Sequence, residues 1–253
     1  MSSTHPIPIT TAFLLGAGFG TRLKPWTELF PKPLLTLMGT PLVIRQMEGL
    51  MQLGIRHFFL NGHHLQYRLR SVVEYYFYAR KNLRDITFTF LEEEPILGTG
   101  GALYQARDMI QEEHFFLINS DILHDIDLVP PACFHLDRKP LATLIVKRTN
   151  DPDWKKVAVN SKGEIMVLGS AVLKEESAPL QFGFTGIHIL NQRIFDYCTE
   201  KKYQCINRDI YPAACSRGET ILAFETDRYW IDVGDLTGYS QAHKDILIKK
   251  IVP

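Results

Sequence analysis

Leu15-Gly16-Ala17-Gly18-Phe19-Gly20-Thr21-Arg22-Leu23-Lys24-Pro25 is the stretch on which the reading of the chain turns. Thr11 to Leu15 is a short apolar run of the kind a buried strand makes before a tight loop. Glycines directly after a strand let backbone N–H groups approach an anion with no Cβ in the way. Two common phosphate loops do not fit. The dinucleotide fingerprint needs a third glycine where Thr21 stands and a helix that starts at once, which Pro25 and Pro31 oppose. The GxxxxGK[ST] loop fails because no Gly-Lys-Ser/Thr comes after the glycines. The segment beyond Gly20 instead reads as extended and proline-punctuated, carrying Arg22, Lys24 and, within Pro31-Lys32-Pro33-Leu34-Leu35, Lys32. Arginine grips phosphate oxygens in pairs and lysine acts as a mobile point charge, so this segment reads as a triphosphate cradle. The alternative is a glycine turn with solvated surface cations.

Outward from the loop, Pro41 opens a helix whose apolar residues Leu42, Val43 and Leu50 recur at helical spacing until Gly54. Ile55–Leu60 reads as a strand, Leu65–Arg80 as a helix, Ile86–Leu91 as a strand, Gly101–Ile110 as a helix and His114–Ile118 as a fourth strand. Strands alternating with helices predict an α/β fold, a Rossmann-like three-layer sandwich with a mostly parallel central sheet. The second half changes pattern. Leu141–Lys147 reads as a strand, Val157–Asn160 and Glu164–Leu168 as a hairpin around Ser161-Lys162-Gly163, and Gly183–Leu190 as a strand with Asn191 capping the helix after it. Asn207–Arg217 and Asp235–Lys250 read as helices. No internal repeat and no Pro-, Gly- or Ser-rich linker divides the chain. It is expected to be one domain, residues 1–253, with the glycine loop in a half over about 11–135 and a second half over about 136–253, built onto the sheet, that supplies the acceptor side of a site.

The 253 residues are 45% hydrophobic, enough for a large core. Lysine plus arginine equals aspartate plus glutamate at 28 each. With no basic stripe, nucleic acid is not an expected partner, and anionic substrates must be met by a few local cations. No cationic and apolar leader is visible, and no apolar run reaches the roughly 20 residues that span a bilayer. Cys133, Cys198, Cys205 and Cys215 lack CxxC spacing, as expected of a reduced cytoplasmic chain with buried thiols. The histidines, His63-His64 among them, show no metal-ligand spacing.

Gly16-Ala-Gly-Phe-Gly-Thr-Arg-Leu-Lys-Pro-Trp-Thr, Pro31-Lys-Pro-Leu-Leu and Gly39-Thr-Pro-Leu together closely resemble the signature of the sugar-1-phosphate nucleotidyltransferases. The resemblance continues through Glu94-Pro-Ile-Leu-Gly-Thr-Gly-Gly-Ala-Leu, Asn119-Ser-Asp121, Phe184-Thr-Gly-Ile and Trp230-Ile-Asp-Val-Gly, in the family's order. In compactness the chain is most similar to the N-acetylmuramate-1-phosphate uridylyltransferase, mannose-1-phosphate and heptose-1-phosphate guanylyltransferase branches. The resemblance implies a nucleotide-diphospho-sugar transferase fold and Mg²⁺-dependent transfer of a nucleotidyl group from a nucleoside triphosphate to a sugar 1-phosphate. It implies nucleotide contacts at Gly16, Ala17, Gly18, Gly20, Thr21, Arg22, Glu94 and Gly100. It further implies sugar contacts at Asn119, Thr185 and Gly186, a metal between Asp121 and Asp232, and catalysis by Arg22, Lys32 and Asp121. The chain is expected to act as a monomer or small homo-oligomer.

Two features depart from the family pattern. Ser120 adds bulk where members carry glycine before the aspartate. Where many have a Glu-Lys-Pro motif whose lysine grips the sugar phosphate, this chain reads Val167-Leu-Gly-Ser170, leaving Lys155 or Lys156 as substitutes. Asp125 and Asp127 read as caps of the turn around Pro130. Two other readings stay open: a cytidylyltransferase for phosphocholine or another non-sugar phosphate, and a non-catalytic nucleotide or sugar-nucleotide sensor.

Overall fold

A computed structural model describes residues 7–80, 83, 85–149, 151, 154–175, 177–200 and 203–251. In chain order the elements are β1 (Thr11–Leu15), α1 (Trp26–Leu29), β2 (Thr36–Leu37), β3 (Thr40–Pro41), α2 (Leu42–Gln52), β4 (His57–Gly62), α3 (Gln66–Tyr78) and β5 (Thr87–Glu92). Next come α4 (Gly98–Ala106), β6 (His114–Asn119), β7 (Ile122–His124), α5 (Val129–Arg138), β8 (Ala142–Lys147), β9 (Lys156–Val159) and β10 (Ile165–Leu168). The chain continues through β11 (Ala171–Val172), β12 (Leu180–Asn191), α6 (Tyr211–Ser216), β13 (Ile221–Thr226), β14 (Trp230–Asp232) and α7 (Leu236–Leu247). These elements form two compact units that interleave along the sequence. The first holds the described residues up to Glu93, Ile118–Val129 and those from Tyr229 on; the second holds Glu94–Leu117 and Pro130–Arg228.

In the first unit β1, β4 and β5 pair in parallel, Thr11 opposite His57 and His57 opposite Thr87. Each crossover contains a helix, as parallel pairing requires. β1 is buried along most of its length, which accounts for its unbroken apolar run. The segment after the glycine loop is not extended, as the prolines suggested. It folds into a 3₁₀ turn at Thr21–Leu23, the short helix α1 and a second 3₁₀ turn at Lys32–Leu34. Proline tolerates the first turn of a helix, so it divides these turns without straightening them. β7 and β14 pair antiparallel with Asp232 opposite Ile122. Leu23, Leu37, Leu42, Leu123, Val233 and Ala242 form a core beneath this pair. That packing fixes the ends of the loop segment, β7 and β14 together.

The second unit is mostly antiparallel. β12 pairs with β8 and β9, β9 with β10 and β10 with β11, while β13 joins β8 in parallel. The hairpin expected at Ser161-Lys162-Gly163 forms. Asn160 Oδ1 accepts from Lys162 and Glu164 N–H at 3.0 Å each, and Gly163 takes φ +84°. Asn191 accepts from Arg193 N–H at 2.9 Å, the expected cap. The helix expected from Gly101 begins earlier, at Gly98, so the glycine-rich stretch is its first turn. All four cysteines are free; Cys198 and Cys215 are buried, whereas Cys133 is exposed. Among the described residues no helix is long and apolar enough to cross a membrane.

Candidate active site

Gly16 enters the loop with its N–H already committed, donating to Asn61 Oδ1 at 2.8 Å. A Cβ here would lie 2.6 Å from the Asn61 carbonyl oxygen and 2.9 Å from Leu60 Cδ1, so the position admits only glycine. Its part is close packing. Gly18 is exposed, with open space where a side chain would point. Gly20 adopts φ +63°, and its carbonyl accepts from Thr27 Oγ1 at 2.8 Å and Leu23 N–H at 2.9 Å. Those bonds turn the chain into the 3₁₀ turn that carries Thr21 and Arg22. Phe19 is half exposed and packs edge-on to His63, ring centroids 5.1 Å apart.

Lys32 is buried, and its Nζ forms an ion pair with Asp121 Oδ2. Arg22 is largely exposed and reaches Asp235 at 3.4 Å. Lys24, grouped with them in the sequence, lies on the surface opposite Glu28 at 3.3 Å. Asp121 and Asp232 meet because Val233 N–H donates to the Asp121 carbonyl at 2.9 Å, extending the β7–β14 ladder past both aspartates. Gly234 marks where the groups converge. A Cβ there would sit 2.5 Å from Asp232 Oδ1, 2.7 Å from Arg22 Nη2 and 3.0 Å from Lys32 Nζ. Desolvation, then the Asp121 charge, raises the Asp232 carboxyl above its ordinary pKa, while Lys32, Arg22 and Gly234 N–H pull the other way.

Ser120 does not crowd the carboxylates. Its hydroxyl donates to the Leu15 carbonyl at 2.6 Å and so secures the strand end before the loop. Asn119, half buried, ends β6 next to it. Asp127 accepts from Val129 N–H at 3.0 Å, the expected turn cap, but Asp125 accepts instead from Tyr229 N–H at 2.8 Å and ties β7 to β14. Among the described residues no cluster of three or more His, Cys, Asp or Glu side chains is placed to hold a metal. Two carboxylates, a buried lysine and an arginine converging on Gly234 make a site for a polyanion and a cation together.

The sequence model of the family described as nucleotidyl transferase matches residues 11–249. The chain belongs to this family. It is 32% identical over 235 residues to the mannose-1-phosphate guanyltransferase of Schizosaccharomyces pombe, covering 90% of the chain and 62% of that relative. The chain thus spans about three fifths of the relative's length. Among solved structures, that of HddC from Yersinia pseudotuberculosis complexed with GMP-PN aligns with a TM-score of 0.75 at 24% identity, covering 94% of this chain and all of that one. UDP-glucose pyrophosphorylase complexed with UDP-glucose aligns at 0.77 and 21% identity, covering 95% and 99%. The fold is therefore the mixed-sheet nucleotide-diphospho-sugar transferase fold.

The remaining family positions lie in the second unit. Glu94 is exposed at its start. Gly100 N–H donates to the Gln204 carbonyl at 2.7 Å, and a Cβ there would come within 2.8 Å of Ile210 Cδ1, so this glycine serves close packing of α4 on residues 204–210. Thr185 is fully buried and its hydroxyl donates to the Ile145 carbonyl at 2.7 Å. Gly186 sits at φ +83° where the β12–β8 register slips between Phe184 and His188. The Lys155 ammonium lies 5.7 Å from the centroid of the Phe184 ring, and desolvation lowers its pKa. Lys174, farther along, pairs with Glu164 at 3.8 Å. Asn61, Gly234 and Asp235 were not singled out for the site in the sequence. Gly234 stood within the Trp230-Ile-Asp-Val-Gly motif and Asp235 at the start of a helix, whereas Asn61 carried no signal there.

Proposed function

We propose that the chain transfers a nucleotidyl group from a nucleoside triphosphate to a sugar 1-phosphate, forming a nucleotide sugar and pyrophosphate. The convergence of Lys32, Arg22, Asp121 and Asp232 around Gly234 carries this reading. The acceptor phosphate is already an anion at neutral pH, so its oxygen attacks the α-phosphorus without a general base. What the site must overcome is repulsion between two polyanions while attack and departure stay in line. N–H groups of Ala17–Thr21 orient the triphosphate. Arg22 stabilises charge on the transferring phosphoryl and on the leaving pyrophosphate. Lys32, held by Asp121, presents a desolvated positive charge to phosphate oxygens.

Mg²⁺ suits the donor set, since it is normally bound by one or two carboxylates completed by substrate phosphates. Desolvation, then the Asp121 charge, raises the Asp232 pKa, and a divalent cation between the two carboxylates would offset that second cause. Asp121 and Asp232 would hold the ion, and its chemistry would be charge neutralisation of the phosphate chain. Lys155 is the proposed cation for the acceptor phosphate, because its exposed ammonium lies beside the Phe184 ring and no carboxylate pairs with it among the described residues. The mannose-1-phosphate guanyltransferase relatives make GTP and mannose 1-phosphate the first pair to try.

The test mixes the protein and Mg²⁺ with each of five nucleoside triphosphates and a panel of sugar 1-phosphates, following pyrophosphate release. Release that requires one triphosphate, one sugar phosphate and Mg²⁺ is expected. Release with phosphocholine in place of every sugar would assign the acceptor differently, and silence with all acceptors would sink the enzymatic reading.

A further inference from the structure

Behind the glycine loop lies a buried relay that the chemistry above does not use. Asn61, near the end of β4, is 3% exposed. Its Oδ1 accepts from Gly16 N–H at 2.8 Å, and its Nδ2 donates to Glu93 Oε1 at 2.6 Å. Glu93 is fully buried just past β5, with its own N–H donating to the Gly62 carbonyl at 2.9 Å. An amide side chain can turn either its oxygen or its nitrogen toward a neighbour, and only the oxygen can meet an N–H. Glu93 Oε1 accepts from the amide nitrogen, which leaves Oδ1 to accept from the loop. The loop is thereby held from both flanks, since Leu15 C=O is fixed by Ser120 and Gly16 N–H by Asn61.

We infer that Glu93 is a positioning residue that sets the orientation of the Asn61 amide and, through it, the backbone of the loop that receives the triphosphate. This rests on the reading of that loop as the triphosphate site. It places a determinant of nucleotide affinity in the interior, far along the chain from the loop it controls and on the far side of a side chain from any phosphate.

Exchanging the two functional groups tests it. Asn61→Asp sets a second carboxylate against Glu93, and two carboxylates in a buried contact ionise together only at a cost, so a shared proton restores one donor as pH falls. N61D is expected to bind Mg²⁺–GTP about 10- to 100-fold more weakly than wild type at pH 8, the size of one buried bond left unmade. The deficit should shrink toward pH 6, relative to wild type run in parallel. E93Q keeps an acceptor but lets the amide choose its flip, for a loss of about 3-fold. In N61D/E93Q the introduced carboxylate accepts both from Gly16 N–H and from the introduced amide, and binding should recover about 10-fold over N61D. Calorimetric titration gives the affinities, with melting temperatures recorded beside them. N61D binding as tightly as wild type at pH 8, or N61D/E93Q binding no better than N61D, would overturn the relay. A wild-type protein that binds none of the five triphosphates would instead overturn the reading of the loop itself.

Discussion

Asp232 and Asp121 stand side by side at the end of the β7–β14 pair, and desolvation together with the second charge raises the Asp232 pKa. A carboxyl whose folded pKa is raised binds its proton more tightly folded than unfolded. Its ionised form therefore opposes folding above that value, and the opposition disappears as pH falls through it. Asp232→Asn is expected to raise the melting temperature at pH 7.5, with the gain vanishing in acid, while turnover falls by about 100-fold or more. Melting curves at two pH values and a pyrophosphate assay check both halves; a lower melting temperature would remove the electrostatic account. Arg22 behaves differently. It is 63% exposed, and a surface pair such as Arg22–Asp235 contributes about 0–1 kcal/mol. Arg22→Ala should thus leave melting almost unmoved and lower kcat about 10²- to 10³-fold. The four groups around Gly234 were legible because each sits in a motif of its own. Asn61 and Glu93 were not, since one polar residue at a strand end and one of three consecutive glutamates look like ordinary surface until the fold buries them.

At the scale of elements, punctuation by capping and turn residues was the readable part. Asn160, Asn191 and Asp235 each accept the backbone N–H their side chains are suited to accept, and the three motifs lie where the sequence put them. Less was visible where an unlikely residue takes a special conformation. Met38 and Gly39 join β2 to β3 with φ of +50° and +85°, the mirror-image turn usually signalled by Asn-Gly. Methionine gives no such signal, and the hairpin went unread. The helix expected from Gly101 begins at Gly98, where φ is +69°, and the Gln204 carbonyl accepts from Gly100 N–H in its first turn. β12 contains a similar surprise. Gly186 interrupts an otherwise buried strand at φ +83°, where its pairing with β8 shifts. An L-residue is strained there, so Gly186→Ala is expected to destabilise the chain by about 1 kcal/mol or more. Urea unfolding measures this directly. No loss at all would mean that the strand can shed its bulge.

The chain as a whole interleaves its segments, with residues from Tyr229 on packed with the N-terminal strands rather than with the second half. The change of strand pattern near residue 135 precedes the mostly antiparallel strands of the second unit, but contacts that return across the sequence leave no local signal. Two buried histidines in the second unit and a half-buried one in the first give the chain a dependence on pH. His135 is fully buried, with Nδ1 2.9 Å from Thr143 Oγ1 and Nε2 3.1 Å from His114 Nδ1, and burial lowers it to about 3. His188, 2% exposed with Nδ1 2.7 Å from Tyr211 OH, is also lowered to about 3. In the first unit His124 is lowered to about 4, again by desolvation. Unfolded, each recovers an ordinary value near 6.5. Between these limits the unfolded chain binds protons that the folded chain refuses, so stability is complete above about pH 6.5 and is lost as pH falls toward the folded values. For His135 and His188 the slope approaches about 1.4 kcal/mol per pH unit each once the unfolded histidine is mostly protonated. Urea titrations at pH 7, 6 and 5 should therefore show a midpoint that falls progressively more steeply. His188→Gln should remove about one histidine's share of that slope, even if it lowers stability at pH 7 by disturbing Tyr211. A slope unchanged by that substitution would mean that His188 takes up its proton in the folded chain, with the strand beside Thr185 adjusting to admit it.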